Sequence, residues 1–267
     1  MRVLLGAFGD PGHAFPMIAL GRALVARGHD VTLQTWGRWE GDVRAEGMTF
    51  AAAPEYTLLR SGVNRDGSGL YDSVPQATTD TLPLVRSLRP DVAVADILTL
   101  APALAAEIEG VPWATLIPHI YPDSEPDFPI YSIGARLPRT ATGRWLWRHG
   151  QRPARHGLEI GRRELNGARA ELGLAPLTHP HGGISRKLAL VATFPQLEYP
   201  RAWPDHVHVV GPLMWEPPAE EVKLPSGGPG GERDEAPLVL VAPSTAQDPG
   251  HRLLAATLQG LADADVR

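Results

Sequence analysis

Apolar residues in the first half of the chain come in short runs separated by stretches of helical spacing. Residues 2–8 read RVLLGAF, with the length and composition of a buried strand. Met17, Leu20, Leu24 and Val25 then fall at i, i+3, i+7 and i+8, on one face of a helix over 17–27. Gly28 stands where a left-handed cap would end that helix, and 31–35 resumes as a strand. The same pattern predicts strands at 48–52, 92–95, 113–117, 188–193 and 207–210, with helical stretches such as 100–108 between several of them. Strands alternating with helices imply parallel pairing through right-handed crossovers, so the predicted fold is α/β, a doubly wound parallel sheet.

The pattern changes after Val210. Residues 211–237, GPLMWEPPAEEVKLPSGGPGGERDEAP, are rich in Pro, Gly and acids and show no sustained period, which reads as an interdomain linker. A new unit follows, with a strand at 238–242, a turn at 243–249 and a helix from about Gly250 to Ala264. One strand and one helix cannot bury a core of their own. The expected organisation is therefore a first domain over 1–215, a linker over 216–236, and the opening of a second domain over 237–267 whose remainder is missing.

Composition narrows the field. The 267 residues are 43% hydrophobic, enough for a substantial core, yet no apolar run is long enough to cross a bilayer. The N-terminus enters a strand directly, without the apolar stretch of a signal peptide. Cysteine is absent, which excludes disulfides and thiolate metal sites and fits a cytoplasmic protein. A net charge of −5 gives no reason to expect a nucleic-acid partner.

In open α/β sheets, ligands bind outside the carboxyl ends of the strands. The stretch GAFGDPGHAFP, residues 6–16, places His13 there, between the first strand and the first helix. Gly9 and Gly12 suit a tight turn, Pro16 suits a first helical turn, and a helix N-terminus favours a neutral imidazole able to accept a proton. Asp96 follows the strand at 92–95 and should reach the same edge, where a carboxylate would fix the imidazole tautomer. The bland alternatives are a packing role for His13 and helix capping for Asp96. A dinucleotide site is disfavoured: Gly6, Gly9 and Gly12 give GxxGxxG in place of GxGxxG, and the second strand ends Gln34-Thr35-Trp36 with no acid for a ribose.

The residues from Gly6 to Leu33 resemble the opening of family 1 glycosyltransferases of the GT-B fold, above all the bacterial enzymes that glycosylate antibiotics and other natural products. RPDVAVADILTLAPALAAEIEGVPWA at 89–114, HVHVVGPLMWEPP at 206–218 and PLVLVAPSTAQDPGHRLLAATLQGL at 237–261 are similar to that family's acidic segment, hinge and first donor-domain unit. The resemblance implies two Rossmann-like domains, the second only begun in this chain. It implies His13 as general base and Asp96 as its paired acid. It further implies Gly12, Ser244 and Thr245 as contacts to a nucleotide-diphospho-sugar donor, which serves as co-substrate, with no metal or cofactor. The implied reaction is inverting transfer of the sugar to a hydroxyl of a hydrophobic small molecule. Two rivals are a non-catalytic acceptor-binding or partner-activating half-enzyme, and a sugar-nucleotide epimerase of the same fold.

Acceptor contacts are expected from loops at the strand ends. Phe15, Trp36, His119, Tyr121 and Phe128 are the candidates, the last three in the Pro-rich stretch HIYPDSEPDFPIY, with ordinary packing as the alternative for each. His181-Gly182-Gly183 reads as a turn. Nine arginines between Arg136 and Arg169 surround Trp145 and Trp147. In an acidic chain these predict an exposed basic helix face with the tryptophans packed inward, and no membrane contact is expected.

Overall fold

The computed structural model describes residues 1–53, 71–130, 133–180, 182–218, 237–243 and 250–266. Among the described residues seven strands form one parallel sheet in the order β3-β2-β1-β4-β5-β6-β7. They are β1 (Arg2–Gly6), β2 (Asp30–Thr35), β3 (Thr49–Ala52), β4 (Val92–Asp96), β5 (Trp113–Ile117), β6 (Ala189–Val191) and β7 (Val207–Val209). The helices in chain order are α1 (Pro11–Val25), α2 (Glu40–Ala45), α3 (Val74–Leu88), α4 (Leu100–Ile108), α5 (Ala141–Gly150), α6 (Arg152–Glu171) and α7 (Arg252–Gly260). Two compact units make up the chain, Met1–Gly9 with His13–Trp215, and Asp10–Gly12 with Glu216–Arg267.

The apolar runs become strands because both faces of the sheet are covered. Val3 and Leu5 point into a core with Met17, Ile18, Val31 and Leu33, whereas Leu4 faces the other way, against Val85, Ala93 and Ala105. Helix α4 buries Leu100 through Ala106 on several sides at once, since Leu100 and Leu104 also meet Leu165 and Ala168 of α6. Gly28 takes φ +80, the left-handed cap its position demands.

Several elements are shorter than expected, as β6 is at Ala189–Val191, and the larger departures lie at the two ends of the chain. β1 stops at Gly6, and α1 begins at Pro11, six residues early. A proline fits that first helical position, having no N–H to leave unpaired, and His13 therefore sits on the helix's first turn. The strand expected at 238–242 does not form among the described residues. A strand exists only through a ladder with a neighbour, and Leu238 and Leu240 stay exposed here. Ser244, Thr245 and most of the expected linker lie outside the described residues. No helix among those described is long and apolar enough to cross a membrane.

Candidate active site

The strand order reverses direction of growth between β1 and β4, and at such a switch point the connections leave a crevice beyond the carboxyl ends. The register Gly6↔Ala95 brings the residues just after β1 and at the end of β4 to the same level. His13 Nδ1 lies 2.7 Å from Asp96 Oδ1 across this point. Asp96 has a fully buried side chain, whereas that of His13 keeps 17% of its surface in contact with solvent. The other carboxylate oxygen accepts the Leu98 N–H at 3.3 Å and the Thr99 hydroxyl at 3.5 Å. Asp96 thus fastens the turn ahead of α4 and contacts the imidazole with the same carboxylate, though Thr99 and not Asp96 stands at the helix N-cap.

The turn before His13 is fastened from β2's side. Trp39 Nε1 donates to the Gly9 carbonyl at 2.7 Å, and the Arg38 guanidinium donates to the same oxygen. Trp36 lies so close that a Cβ on Gly9 would sit 2.0 Å from its ring. The Trp36 ring packs edge-on against Phe8, and Phe8 edge-on against His13, with centroids 4.8 and 6.1 Å apart. Gly12, by contrast, has open space where a Cβ would go, so packing does not demand glycine there.

His119, just beyond β5, joins this group. Its Nδ1–H donates to the Ile120 carbonyl at 2.8 Å. Burial pulls its imidazole below the ordinary histidine pKa; the Ile120 carbonyl and Asp96 work against the shift and His13 adds to it. A switch-point histidine with a sealed carboxylate, and a second imidazole within their field, can accept a proton from a hydroxyl placed in the crevice. No group of three or more His, Cys, Asp or Glu side chains suited to a metal ion occurs among the described residues.

No protein-family model matches the chain. Among curated proteins, 4'-demethylrebeccamycin synthase of Lentzea aerocolonigenes is 27% identical over 99% of this chain and 68% of its own length. L-demethylnoviosyl transferase of Streptomyces niveus is 32% identical over 51% of this chain and 38% of its own length. A solved structure, the glycotransferase of kitacinnamycin, superposes with a TM-score of 0.57 at 19% identity, over 89% of this chain and 57% of that one. The chain is similar in sequence to natural-product glycosyltransferases, and its fold is that of the GT-B glycosyltransferases. It spans between about a third and two thirds of the length of these relatives.

Within this GT-B chain the remaining candidates part company. Phe15 packs edge-on against Trp39 and Trp215 at 5.2 and 5.0 Å; two residues after His13, it leaves α1 on a different side. Tyr121 is only 4% exposed, in a core cluster with Ile117, Ile184, Val191 and Val207, so packing claims it in place of an acceptor wall. Phe128 is half-buried against Tyr199. The tryptophan expectation for the basic stretch is also overturned. Trp145 is 56% exposed with its ring against His149, whereas Trp147 is half-buried, and α5 buries no residue fully. Arg169 is the opposite case, sealed at 3% exposure and bidentate to Glu107 at 2.6 and 2.9 Å.

Sequence reasoning missed Thr99, Arg38 and Trp39 around the dyad, and Glu198, Tyr199 and Arg201 in the connection after β6. Their only sequence signal was position, shortly after a strand's carboxyl end.

Proposed function

We propose that this chain is the acceptor-binding part of an inverting glycosyltransferase in which His13 is the general base. The observation that carries this is the 2.7 Å contact between His13 Nδ1 and the buried Asp96 at the switch point. With Nδ1–H donating to Asp96, the neutral ring carries its lone pair on Nε2. An acceptor hydroxyl loses its proton to that lone pair as its oxygen attacks the anomeric carbon. The nucleotide diphosphate leaves from the opposite face, and the configuration inverts. Asp96 stabilises the imidazolium so formed.

The donor is a nucleotide-diphospho-sugar, its leaving diphosphate held by Ser244, Thr245 and nearby backbone N–H groups, with Gly12 as a further donor contact. No metal or cofactor is assigned. The acceptor is a hydrophobic hydroxylated small molecule. Trp36, His119 and Phe128 are its contacts, flat rings and an imidazole matching a flat apolar body with one hydroxyl.

The test is release of nucleotide diphosphate by the full-length protein, measured over a panel of thymidine and uridine diphosphate sugars with and without hydroxylated polyaromatic acceptors. Release that depends on acceptor, with one glycoside formed per diphosphate, supports the reading. Binding of acceptor without turnover would establish the non-catalytic module, and conversion of donor without acceptor would establish an epimerase.

A further inference from the structure

The connection between β6 and β7 begins at the carboxyl edge of the sheet, beside the loop that follows β5. Three of its residues grip that loop. The Glu198 carboxylate accepts the Tyr121 N–H at 2.8 Å. The Tyr199 hydroxyl donates to the Ala135 carbonyl, and its ring meets Phe128 edge-on at 5.5 Å. The Arg201 guanidinium donates to the Asp123 carbonyl and stands 5.4, 5.2 and 5.3 Å from the ring centroids of Tyr121, Phe128 and Trp203.

This grip reaches the dyad through one peptide unit. The Ile120 carbonyl accepts the His119 Nδ1–H, and the N–H of the same peptide, that of Tyr121, donates to Glu198. His119 is thereby tied to the segment carrying Arg201, while its ring lies within the field of His13 and Asp96. From the far side Gln151 donates to the Glu125 and Phe128 carbonyls at 2.9 and 2.6 Å, so the loop is held at both flanks.

An apolar side chain would fill the space among three rings without difficulty. An arginine there places a cation among them, and its Nε is buried with no hydrogen-bond partner among the described residues. What arginine adds is direction: cation–π attraction to three rings and a donor aimed at one carbonyl fix a single arrangement of the loop.

We propose that Arg201 is a positioning residue for the acceptor, clasping the loop after β5 so that His119 and Phe128 are set before an acceptor enters. This rests on the function proposed above. Preset walls lower the ordering cost of binding, so the clasp acts on acceptor affinity more than on chemistry.

The experiment compares Arg201→Met and Arg201→Lys with the full-length wild type. It measures acceptor KM, kcat at saturating acceptor, acceptor-independent donor hydrolysis, and amide exchange across 119–130. Arg201→Met is expected to raise acceptor KM about tenfold with kcat and donor hydrolysis retained. Exchange should quicken in that loop alone, and Arg201→Lys should fall between the two. Should Arg201→Met not fold, Arg201→Lys decides by the same split. An unchanged acceptor KM in a folded variant overturns the proposal, as does a joint loss of kcat, donor hydrolysis and thermal stability, which marks a merely structural residue. A wild type that transfers no sugar defeats the proposed function; an active wild type with an indifferent variant defeats this inference alone.

Discussion

Replacing Asp96 by Asn removes a charge while keeping the side chain's shape. Asp96 now uses one oxygen for His13 Nδ1 at 2.7 Å and the other for Leu98 N–H and Thr99 Oγ at 3.3 and 3.5 Å. An amide can replace only one of these acceptors. If its NH₂ turns to Leu98, it meets another donor; the Leu98 bond is lost, at a cost of about 1–3 kcal/mol, and the Thr99 hydroxyl must turn from donor to acceptor. If it turns to His13, the ring must carry its proton on Nε2, and the base no longer has a lone pair where the acceptor lies. In both arrangements the imidazolium loses its anionic partner, worth about 1.5–3 kcal/mol for a charge-assisted bond. Together these predict a fall in kcat of about 10²–10⁴, or roughly 3–5 kcal/mol of barrier. The assay is acceptor-dependent diphosphate release at saturating substrates, beside a thermal melt to show that the fold persists. A folded Asp96→Asn protein with near-normal kcat would refute the reasoning.

Gly9→Ala should destabilise by about 1–3 kcal/mol, because its Cβ would fall 2.0 Å from the Trp36 ring beside a carbonyl already held by Trp39 and Arg38; a urea midpoint near that of the wild type would contradict this. Arg169→Ala should cost about 1–3 kcal/mol, since it removes the buried donor to the Ala175 carbonyl and the partner of a Glu107 that water still reaches; chemical denaturation reads this directly. Burial, with Arg186 nearby, holds the His179 and His206 imidazoles below their ordinary pKa. Both bind protons more readily unfolded, so stability is full above the unfolded pKa and declines as pH falls from about 6.5 toward their lower folded values; denaturation midpoints at several pH values between neutral and mildly acidic should follow that order.

Much of the sheet was legible because its strands are buried on both faces and so read as unbroken apolar runs. β5 (Trp113–Ile117) and α4 (Leu100–Ile108) have the bounds their patterns predict. The strand at 238–242 shows the limit of that logic, since an apolar run specifies what could pair but not that a partner is present. The His13–Asp96 pairing was legible because topology sends both residues to one edge whatever the side chains between them. Tyr121 and Phe15 were not, because an aromatic near a strand end looks the same in sequence whether it lines a crevice or closes a core. The clasp on the β5 loop was invisible for a further reason. It joins Arg201 to Asp123, Tyr121 and Phe128 across about eighty residues, and no local spacing encodes such a contact.

The claim on which the account turns is that His13 takes the acceptor's proton, and the most direct measurement is the sugar-transfer rate of the full-length His13→Ala protein with donor and acceptor both saturating. The account predicts a loss of at least about 10²–10⁴ in kcat, with donor binding and thermal midpoint close to those of the wild type. A folded variant that still transfers sugar at a near-normal rate would contradict it.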